Sequence, residues 1–494
     1  MAENGDTRGY RGSQRVGLLV GMAVFVTLLL VPSPAGLSDE GWRTGAVAAL
    51  MAIWWMTEAI PIPATALLPL VLFPAVRVLS MPDAAAPYAN ELIYLFMGGF
   101  LLAAALERWG LHRRMALGIV HAVGTGPRRL VLGFMLATAF LSMWISNTAA
   151  AAMMLPIALA VSEIFRPAGE DEEGSFAFGV ALMLGVAYSA SIGGAATLIG
   201  TPPNAVLAGA ASEMLGVEIG FFQWMLLGVP LAAILLPLTW GLLVYVLHPP
   251  GEVAGNASEV LDHQRRALGP ASRGEKIVGV VFALTAAAWV LRAPKDLGFV
   301  VVPGITTFAP AVRDSTIAIA AALVLFVTPV DWRRGVFALD WKRARGIPWG
   351  VLVLFGGGLS LARAMDESGL AAWIGGAVAA LGGVPVPVVL LVVAALFVFL
   401  TEITSNTATS TMAMPVMVGA AMGLATGPLQ LMATAALSAS MAFMLPVATP
   451  PNAIVFGSGY LTLQQMARAG VWLNFLAIGL ITLAGWLLMP LVFS

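Results

Sequence analysis

Apolar stretches of about 20 residues recur from Val16 to the end of the chain, and they restrict what this sequence can fold into. A helix of that length crosses roughly 30 Å of hydrocarbon, which is the thickness of a bilayer core. Because backbone N–H and C=O groups find no water there, long apolar runs without strict alternation predict helices rather than strands. Hydrophobic residues make up 59% of the 494 residues and charged residues 10%, a composition typical of membrane proteins.

Polar segments divide the apolar sequence into separate spans. We predict an all-α integral membrane protein with about 11 transmembrane helices and two re-entrant helical hairpins. Each hairpin is predicted from an apolar stretch that is too long for one helix and carries a polar interruption at its middle, at about 129–165 and about 387–420. The predicted spans cover residues 16–31, 44–57, 60–79, 88–107, 176–210, 222–247, 277–291, 312–330, 348–363, 430–460 and 469–493.

The basic residues predict the side of the membrane on which each loop lies. If the N-terminus is cytoplasmic, 19 of the 25 Lys and Arg residues fall on the cytoplasmic side and 6 outside, in agreement with the positive-inside bias. We therefore predict a multi-pass protein of the cell inner (cytoplasmic) membrane, surrounded by membrane lipid, with the C-terminus outside. The formal net charge of −1 does not indicate a nucleic-acid partner, and the absence of Cys excludes disulfides and thiolate chemistry.

The two halves of the chain carry the same motifs in the same order. The triplet Ser146-Asn147-Thr148 reappears as Ser405-Asn406-Thr407, and Thr201-Pro202-Pro203-Asn204 reappears as Thr449-Pro450-Pro451-Asn452. Each half holds five spans and one hairpin and starts on the opposite side of the membrane, which predicts an inverted repeat. The predicted organisation is an N-terminal cytoplasmic segment with the first span (1–43), a first repeat (44–248) with its broken helix at about 176–210, a cytoplasmic linker (249–276), and a second repeat (277–494) with its broken helix at about 430–460.

Both kinds of motif interrupt helices at the depth of the membrane. Three consecutive polar residues leave each hairpin tip non-helical, which is tolerated where the backbone faces protein or a watery cavity. In each Thr-Pro-Pro-Asn segment, proline breaks the incoming helix and suits the first position of a new one, with Thr201 or Thr449 as its N-cap. There are simpler explanations for a single motif, namely hydroxyls that bond back to their own helix or a simple proline kink. Neither explains why both motifs occur twice at matched positions.

Together the four motifs predict one binding site around a pseudo-twofold axis. Helix N-termini, backbone N–H groups, hydroxyls and amides suit the oxygens of a carboxylate or a sulfate, while exposed carbonyls and hydroxyls can replace the water around Na⁺. No Arg or Lys lies in the four motifs, so bound cations must balance most of the charge of a divalent anion, which is a physical reason for coupling. The sequence has no His-Glu-x-x-His arrangement and no nucleophile with a base, so we do not expect an enzyme.

With these motifs and the segment Trp54-Trp55-Met56-Thr57-Glu58-Ala59-Ile60-Pro61, the chain resembles the divalent anion/sodium symporter (DASS) family over nearly its whole length. Members of this family carry C4-dicarboxylates, citrate or sulfate, and the resemblance implies an INDY-type di- or tricarboxylate transporter. It also implies a homodimer in which a scaffold stays fixed while each transport domain slides as an elevator.

The resemblance further implies ligands at specific positions. Four residues would form one sodium site, namely Ser142, Ser146, Asn147 and the carbonyl of Gly200. Four more would form the other, namely Thr401, Thr404, Asn406 and the carbonyl of Ala448. The anion would contact Ser146, Asn147, Thr148 and Thr201 from one half and Ser405, Asn406, Thr407 and Thr449 from the other, with Pro202 and Pro450 lining the same cavity.

We therefore expect a secondary active transporter that couples Na⁺ to the uptake of a C4-dicarboxylate such as succinate, fumarate or malate. The sequence does not reveal the width of the pocket, so citrate and sulfate stay open as alternative cargoes. Anion exchange and a membrane anion sensor stay open as alternative activities. Glu58 and Glu402 lie at or near membrane depth, where an ionisable group is costly. Each of them could make structural hydrogen bonds or take part in ion coupling, and the sequence leaves both roles open. Two segments that mix basic with aromatic residues, 107–121 and 331–345, predict interfacial helices.

Overall fold

The computed structural model describes residues 12–166, 176–251, 257–296, 301–379, 383–424 and 426–493, and within them the fold is almost entirely helical, as predicted. The helices of the first half and the linker are α1 (Gly12–Leu30), α2 (Asp39–Thr57), α3 (Ile62–Thr65), α4 (Leu68–Ala75), α5 (Met81–Ala85), α6 (Glu91–Trp109), α7 (Leu111–Val123), α8 (Pro127–Ser142), α9 (Asn147–Phe165), α10 (Ala177–Gly194), α11 (Pro202–Leu215), α12 (Phe221–Gly241) and α13 (Ala257–Ala267).

The second half is also mostly helical. Its helices are α14 (Arg273–Val290), α15 (Ile305–Phe308), α16 (Asp314–Val327), α17 (Trp341–Ala344), α18 (Trp349–Glu367), α19 (Leu370–Val378), α20 (Val386–Thr401), α21 (Asn406–Gly423), α22 (Pro428–Ala439), α23 (Pro450–Phe456), α24 (Leu463–Leu483) and α25 (Met489–Val492). A 3-10 helix covers Ala86–Ala89, and π-helical turns cover Leu242–Leu247 and Ala484–Leu488. Two short antiparallel pairs join β1 (Lys295–Asp296) to β2 (Val301–Val302) and β3 (Pro329–Asp331) to β4 (Val336–Phe337).

Several helices are long and apolar enough to cross a membrane. Among the described residues six segments meet that condition by length and composition, namely Gly12–Leu30, Met81–Trp109, Asn147–Phe165, Ala177–Gly194, Phe221–Leu247 and Leu463–Val492. Shorter apolar helices lie at Ile62–Ala75, Asp314–Val327 and Val386–Thr401. The prediction of a helical, multi-pass membrane protein is confirmed, while the number of spans and the side of each loop stay predictions.

The helix order of the first half returns in the second half. A long helix is followed by a shorter one and then by two helices joined by a short turn, as α6 to α9 in the first half and α18 to α21 in the second. The matched Gly110 and Gly369 have φ angles of 72° and 77°, which glycine adopts without strain and which turn the chain sharply after each long helix. The division into two repeats and a linker agrees with this order and stays a prediction.

Helix α10 lies at the centre of the packed core. Each of its residues from Phe178 to Gly194 is buried, and it packs against α8, α9 and α23. Its small residues let the backbones approach closely, since a Cβ atom added to Gly193 would lie 2.2 Å from the carbonyl oxygen of Ala139 in α8. This packing places the end of α10 against the tip of the α8–α9 hairpin.

The prediction of an interfacial helix at 331–345 is wrong for most of that segment. In its place β3 and β4 form a hairpin, with Gly335 at a φ of 63° in the turn. The side chain of Asp331 accepts hydrogen bonds from two backbone N–H groups that follow it, at 3.0 and 3.2 Å, and such local bonds favour a turn over a helix. The other predicted segment, 107–121, forms the end of α6 and most of α7.

An ion pair joins the linker to the first half. Arg114 of α7 lies 2.8 Å from Glu275 in the first turn of α14 and also donates to the carbonyl oxygens of Leu268 and Gly269 at 3.3 and 3.1 Å. Glu275 forms a capping box with Ser272, whose backbone N–H donates to the carboxylate at 2.6 Å. Burial raises the pKa of Glu275, but the hydrogen bonds from Arg114 and Ser272 and the charge of Arg114 outweigh burial and hold the pKa below its ordinary value of 4.5.

We expect Glu275→Gln to destabilise the protein at neutral pH but not in acid. A carboxyl whose pKa is lowered by folding contributes stability above its ordinary pKa, and this contribution is lost as the pH falls through the lowered value. The apparent melting temperature in detergent at pH 7 should therefore fall by about 2 °C, and the difference from wild type should shrink below about pH 4. Glu259→Gln, at an exposed position of α13, is the matched control. An equal difference at both pH values would contradict this role.

Candidate functional site

The tip of the first hairpin places Asn147 at the first position of a helix. Helix α8 ends at Ser142, the chain turns, and Ser146 caps α9 by accepting a hydrogen bond from the backbone N–H of Ala149 at 3.2 Å. Asn147 and Thr148 therefore lie in the first turn of α9, where backbone N–H groups have no partner within the helix. These N–H groups and the positive end of the helix dipole suit an anion.

The amide of Asn147 lies beside Ser142 and Gly200, which the family resemblance implies as ligands of one sodium site. One of its terminal atoms lies 2.6 Å from Ser142 Oγ, 3.2 Å from the carbonyl oxygen of Gly200 and 3.2 Å from that of Ala190. Two of these neighbours are carbonyl oxygens, which only accept hydrogen bonds. The terminal atom that faces them is therefore the amide nitrogen of Asn147, which can donate to both. Ser142 Oγ also donates to the carbonyl oxygen of Ala190 at 2.7 Å. Asn147 thus joins the hairpin tip to the end of α10 and the segment that follows it.

The second hairpin repeats this arrangement with threonine in place of serine. Helix α20 ends at Thr401, and Ser405 caps α21 by accepting a hydrogen bond from the backbone N–H of Ala408 at 3.5 Å. Thr401 Oγ1 lies 2.6 Å from Asn406 Oδ1 and 2.9 Å from the carbonyl oxygen of Ala439, and its single hydrogen can be donated to either of these acceptors. The two tips therefore present the same pattern of hydroxyl, amide and helix N-terminus.

Each Thr-Pro-Pro-Asn motif begins a new helix after an unwound segment. Residues 195–201 separate α10 from α11, and residues 440–449 separate α22 from α23. Thr201 and Thr449 occupy the N-cap positions, which confirms that prediction. The Thr449 hydroxyl accepts a hydrogen bond from the backbone N–H of Asn452 at 3.3 Å, whereas the side chain of Thr201 makes no capping bond within the described residues.

The asparagine at the end of each motif holds the unwound segment in shape. Asn204 Nδ2 donates to three carbonyl oxygens that precede the new helix, and that of Thr197 is the nearest at 2.7 Å. Asn452 Nδ2 donates to the carbonyl oxygens of Ala442 and Leu445 at 3.2 and 3.1 Å. Both asparagines are fully buried, so they act behind the site. The sequence identifies them as motif members but does not predict this role, and the signal that could have indicated it is an amide repeated directly after two prolines.

All four motifs line one cavity of about 1200 Å³, which is larger than the roughly 300–1,000 Å³ usual for a small-molecule pocket. Ser142 and Thr401 are buried behind the two tips. The predicted site residues that line the cavity are Ser146, Asn147, Thr148, Gly200, Thr201, Pro202, Thr404, Ser405, Asn406, Thr407, Ala448, Thr449 and Pro450. The structure therefore brings the predicted residues of both halves together, and their roles as ligands stay predictions.

The charged residues of the cavity lining are acidic. Glu58 and Glu107 line it, and in the part of the chain that the structure describes the lining holds no Arg or Lys. An anion would therefore have to be received by neutral donors and helix N-termini, as the sequence indicates. The hydroxyl of Thr404 bonds to the carbonyl oxygen of Leu400 at 2.7 Å and to Thr409 Oγ1 at 2.6 Å, so it is already oriented by its neighbours.

A family model described as the sodium:sulfate symporter transmembrane region matches residues 13–494. The chain therefore belongs to this family of membrane transporters, and the resemblance inferred from its motifs is confirmed. The sodium-dependent dicarboxylate transporter SdcS of Staphylococcus saprophyticus is 43% identical over 494 residues, which cover 98% of this chain and 93% of that protein. The transporter of the same name from Staphylococcus aureus (strain bovine RF122) is 41% identical over 489 residues, which cover 98% and 92%.

Two solved structures share the fold at low sequence identity. MtrF of Neisseria gonorrhoeae, reported among a class of antimetabolite efflux pumps, is 12% identical with a TM-score of 0.59, and the match covers 98% of this chain and 96% of MtrF. The YdaH transporter of Alcanivorax borkumensis is 15% identical with a TM-score of 0.57, and the match covers 96% of both chains. At these identities the likeness shows the fold alone.

Proposed function

We propose that this chain is a secondary active transporter that couples Na⁺ to the movement of a small divalent anion, namely a C4-dicarboxylate such as succinate, fumarate or malate. The observation that carries this proposal is the single cavity in which both Ser-Asn-Thr tips and both Thr-Pro-Pro-Asn helix starts meet. The choice of dicarboxylate and of sodium is supported by the relatives named as sodium-dependent dicarboxylate transporters.

A C4-dicarboxylate matches the twofold character of the cavity. One carboxylate would meet the first tip at Asn147 and Thr148, and the other would meet the second tip at Asn406 and Thr407. Each carboxylate would then face the N-terminus of one hairpin helix, where backbone N–H groups and the helix dipole favour negative charge. Sulfate carries its charge on one compact centre and lacks the two separate carboxylates that this arrangement would use.

Sodium would be bound where oxygens already gather around each tip amide. Ser142 Oγ and the carbonyl oxygen of Gly200 lie within 3.2 Å of one terminal atom of the Asn147 amide. When Na⁺ enters, that amide would turn so that Oδ1 faces the ion, because the ion requires oxygen ligands in place of the hydrogen bonds. Bound Na⁺ would also balance the charge of the anion, for which the cavity lining supplies no basic side chain in the described residues.

Alternating access would move this site across the inner membrane as an elevator within each subunit of a homodimer, as the family resemblance implies. The cavity extends to Gln14 and Glu107, which adjoin Arg15 and Arg108 on the side that the positive-inside bias makes cytoplasmic. We infer that the structure represents an inward-open state. An outward-open state would require the domain that bears the four motifs to shift towards the other side.

Uptake by the purified protein in proteoliposomes tests this function. An inward Na⁺ gradient should drive the accumulation of labelled succinate, and an equal K⁺ gradient should not. Unlabelled fumarate and malate should compete strongly, and citrate and sulfate weakly. Strong competition by citrate or sulfate would change the cargo, and uptake that depends on internal dicarboxylate but not on Na⁺ would indicate an exchanger. Succinate binding without any flux would contradict transport and favour an anion sensor.

A further inference from the structure

We propose that Glu402 supplies a fixed negative charge to the second sodium site, so that the two sodium sites differ in affinity. This inference rests on the sodium coupling proposed above and adds a positioning residue to it. Glu402 directly follows Thr401 and precedes the second Ser-Asn-Thr triplet, and it is only 3% exposed. Its side chain points away from the cavity lining, towards the unwound segment between α22 and α23.

Both oxygens of Glu402 accept hydrogen bonds from N–H donors. Oε1 accepts from the backbone N–H groups of Phe443 and Met444 at 2.7 and 2.9 Å and from Asn474 Nδ2 at 2.8 Å. Oε2 accepts from Met444 at 3.1 Å and from Leu445 at 3.2 Å. A carboxylate, which accepts but does not donate, satisfies every one of these donors. A protonated carboxyl would turn its own hydrogen towards one of them.

In the part of the chain that the structure describes, this buried charge has no basic partner within ion-pair distance. An unpaired buried charge is costly, so a cation that enters nearby is favoured. The expected cation is Na⁺ in the second site, because two expected ligands of that site adjoin Glu402. Thr401 directly precedes Glu402 in the sequence, and the unwound segment that Glu402 fixes leads to the carbonyl of Ala448.

The first half of the protein makes the equivalent connection without a charge. Met143 occupies the position that corresponds to Glu402, and Thr197 the position that corresponds to Leu445. There the Thr197 hydroxyl donates to the carbonyl oxygen of Met143 at 2.5 Å and ties the hairpin tip to the unwound segment. Each half therefore ties its hairpin tip to its unwound segment, and only the connection in the second half carries a negative charge. We expect the second site to bind Na⁺ more tightly and to fill before the first.

Glu402→Gln tests the charge, because glutamine keeps the length of the side chain. The initial rate of succinate uptake is measured against Na⁺ concentration in proteoliposomes. The half-saturating Na⁺ concentration should rise by about tenfold or more, the size of effect that a neighbouring opposite charge produces. Uptake at saturating Na⁺ should return towards the wild-type rate. Glu402→Asp keeps the charge and should retain more Na⁺ affinity than Glu402→Gln.

A merely structural role would give a different pattern. If Glu402 only holds the unwound segment, uptake should fall at every Na⁺ concentration, and the shorter aspartate should be no better than glutamine. That pattern, or an unchanged half-saturating Na⁺ concentration in Glu402→Gln, would overturn the proposal. Glu40→Gln, at an exposed carboxylate at the start of α2, should behave as wild type and serves as the control.

A second measurement separates this inference from the proposed transport function. Thermal unfolding of the purified protein in detergent is followed against Na⁺ without any anion, with K⁺ as the control, since an ion that binds the folded state stabilises it. Wild type should reach half of its stabilisation at a lower Na⁺ concentration than Glu402→Gln, and this holds even if no uptake is found. If Glu402→Gln does not fold, Glu402→Asp takes its place. It should need more Na⁺ than wild type, because its carboxylate is withdrawn by one methylene, and an unchanged requirement would overturn the proposal.

Discussion

Replacement of Asn147 or Asn406 by alanine should abolish sodium-driven succinate uptake while the protein still folds. Each amide bonds to the hydroxyl at the end of the preceding helix, Ser142 or Thr401, and each lines the cavity. Loss of the amide removes an expected ligand and leaves buried polar groups without a partner, which costs about 3 kcal/mol or a factor of about 100. Uptake in proteoliposomes is the measurement, and size-exclusion chromatography in detergent reports the fold.

The two variants control for each other because they lie at matched positions of the two halves. Both should bind succinate weakly at any Na⁺ concentration, since each half contributes to both the cation and the anion site. If both variants kept full Na⁺-driven uptake, the assignment of the tips as the binding site would be contradicted. If uptake were lost from one alone, the expectation of a twofold site would be wrong.

Gly194→Ala should weaken sodium coupling without unfolding the protein. A Cβ atom at this last residue of α10 would lie 2.3 Å from the terminal amide atom of Asn147 that also contacts Ser142. The atom that must yield is the end of a side chain, so the amide of Asn147 should move out of place while the backbone stays. Such overpacking costs about 1–3 kcal/mol, which corresponds to a rise of roughly 5–150-fold in the half-saturating Na⁺ concentration. Uptake against Na⁺ concentration measures this shift.

Two other glycines supply the controls for this prediction. Gly118→Ala adds a methyl group at an exposed position of α7, where the described residues place no atom within 4 Å apart from the adjoining backbone of the helix itself, and it should leave both uptake and folding unchanged. Gly193→Ala would place Cβ 2.2 Å from the backbone carbonyl oxygen of Ala139 and should reduce the yield of folded protein. If Gly194→Ala kept wild-type Na⁺ dependence, the account of the Asn147 position would be contradicted.

The predictable part of this fold is the part that depends on local rules. Apolar length predicted helices, and two prolines after a threonine predicted the starts of α11 and α23 with Thr201 and Thr449 as their N-caps. The convergence of these motifs was also predictable, because a repeated interruption in an apolar helix needs a shared polar environment. The cavity that all four motifs line agrees with that expectation.

The sequence could not reveal contacts made between distant segments. The bonds from Glu402 to residues 443–445 and to Asn474 span more than 40 positions, so no local pattern indicated them. The composition of segment 331–345 predicts an interfacial helix, whereas a turn stabilised by Asp331 and Gly335 forms there. The Arg114–Glu275 pair likewise depends on how the linker folds back on α7.

Reciprocal binding tests most directly whether one cavity holds cation and anion together. Succinate binding to the purified protein is measured with and without Na⁺, and binding of radioactive Na⁺ is measured with and without succinate. Thermodynamic linkage requires each ligand to increase the affinity of the other by the same factor, and we expect a factor of about 10 or more. This enhancement should disappear in Asn147→Ala. Succinate affinity that is equal in Na⁺ and K⁺ would contradict the account.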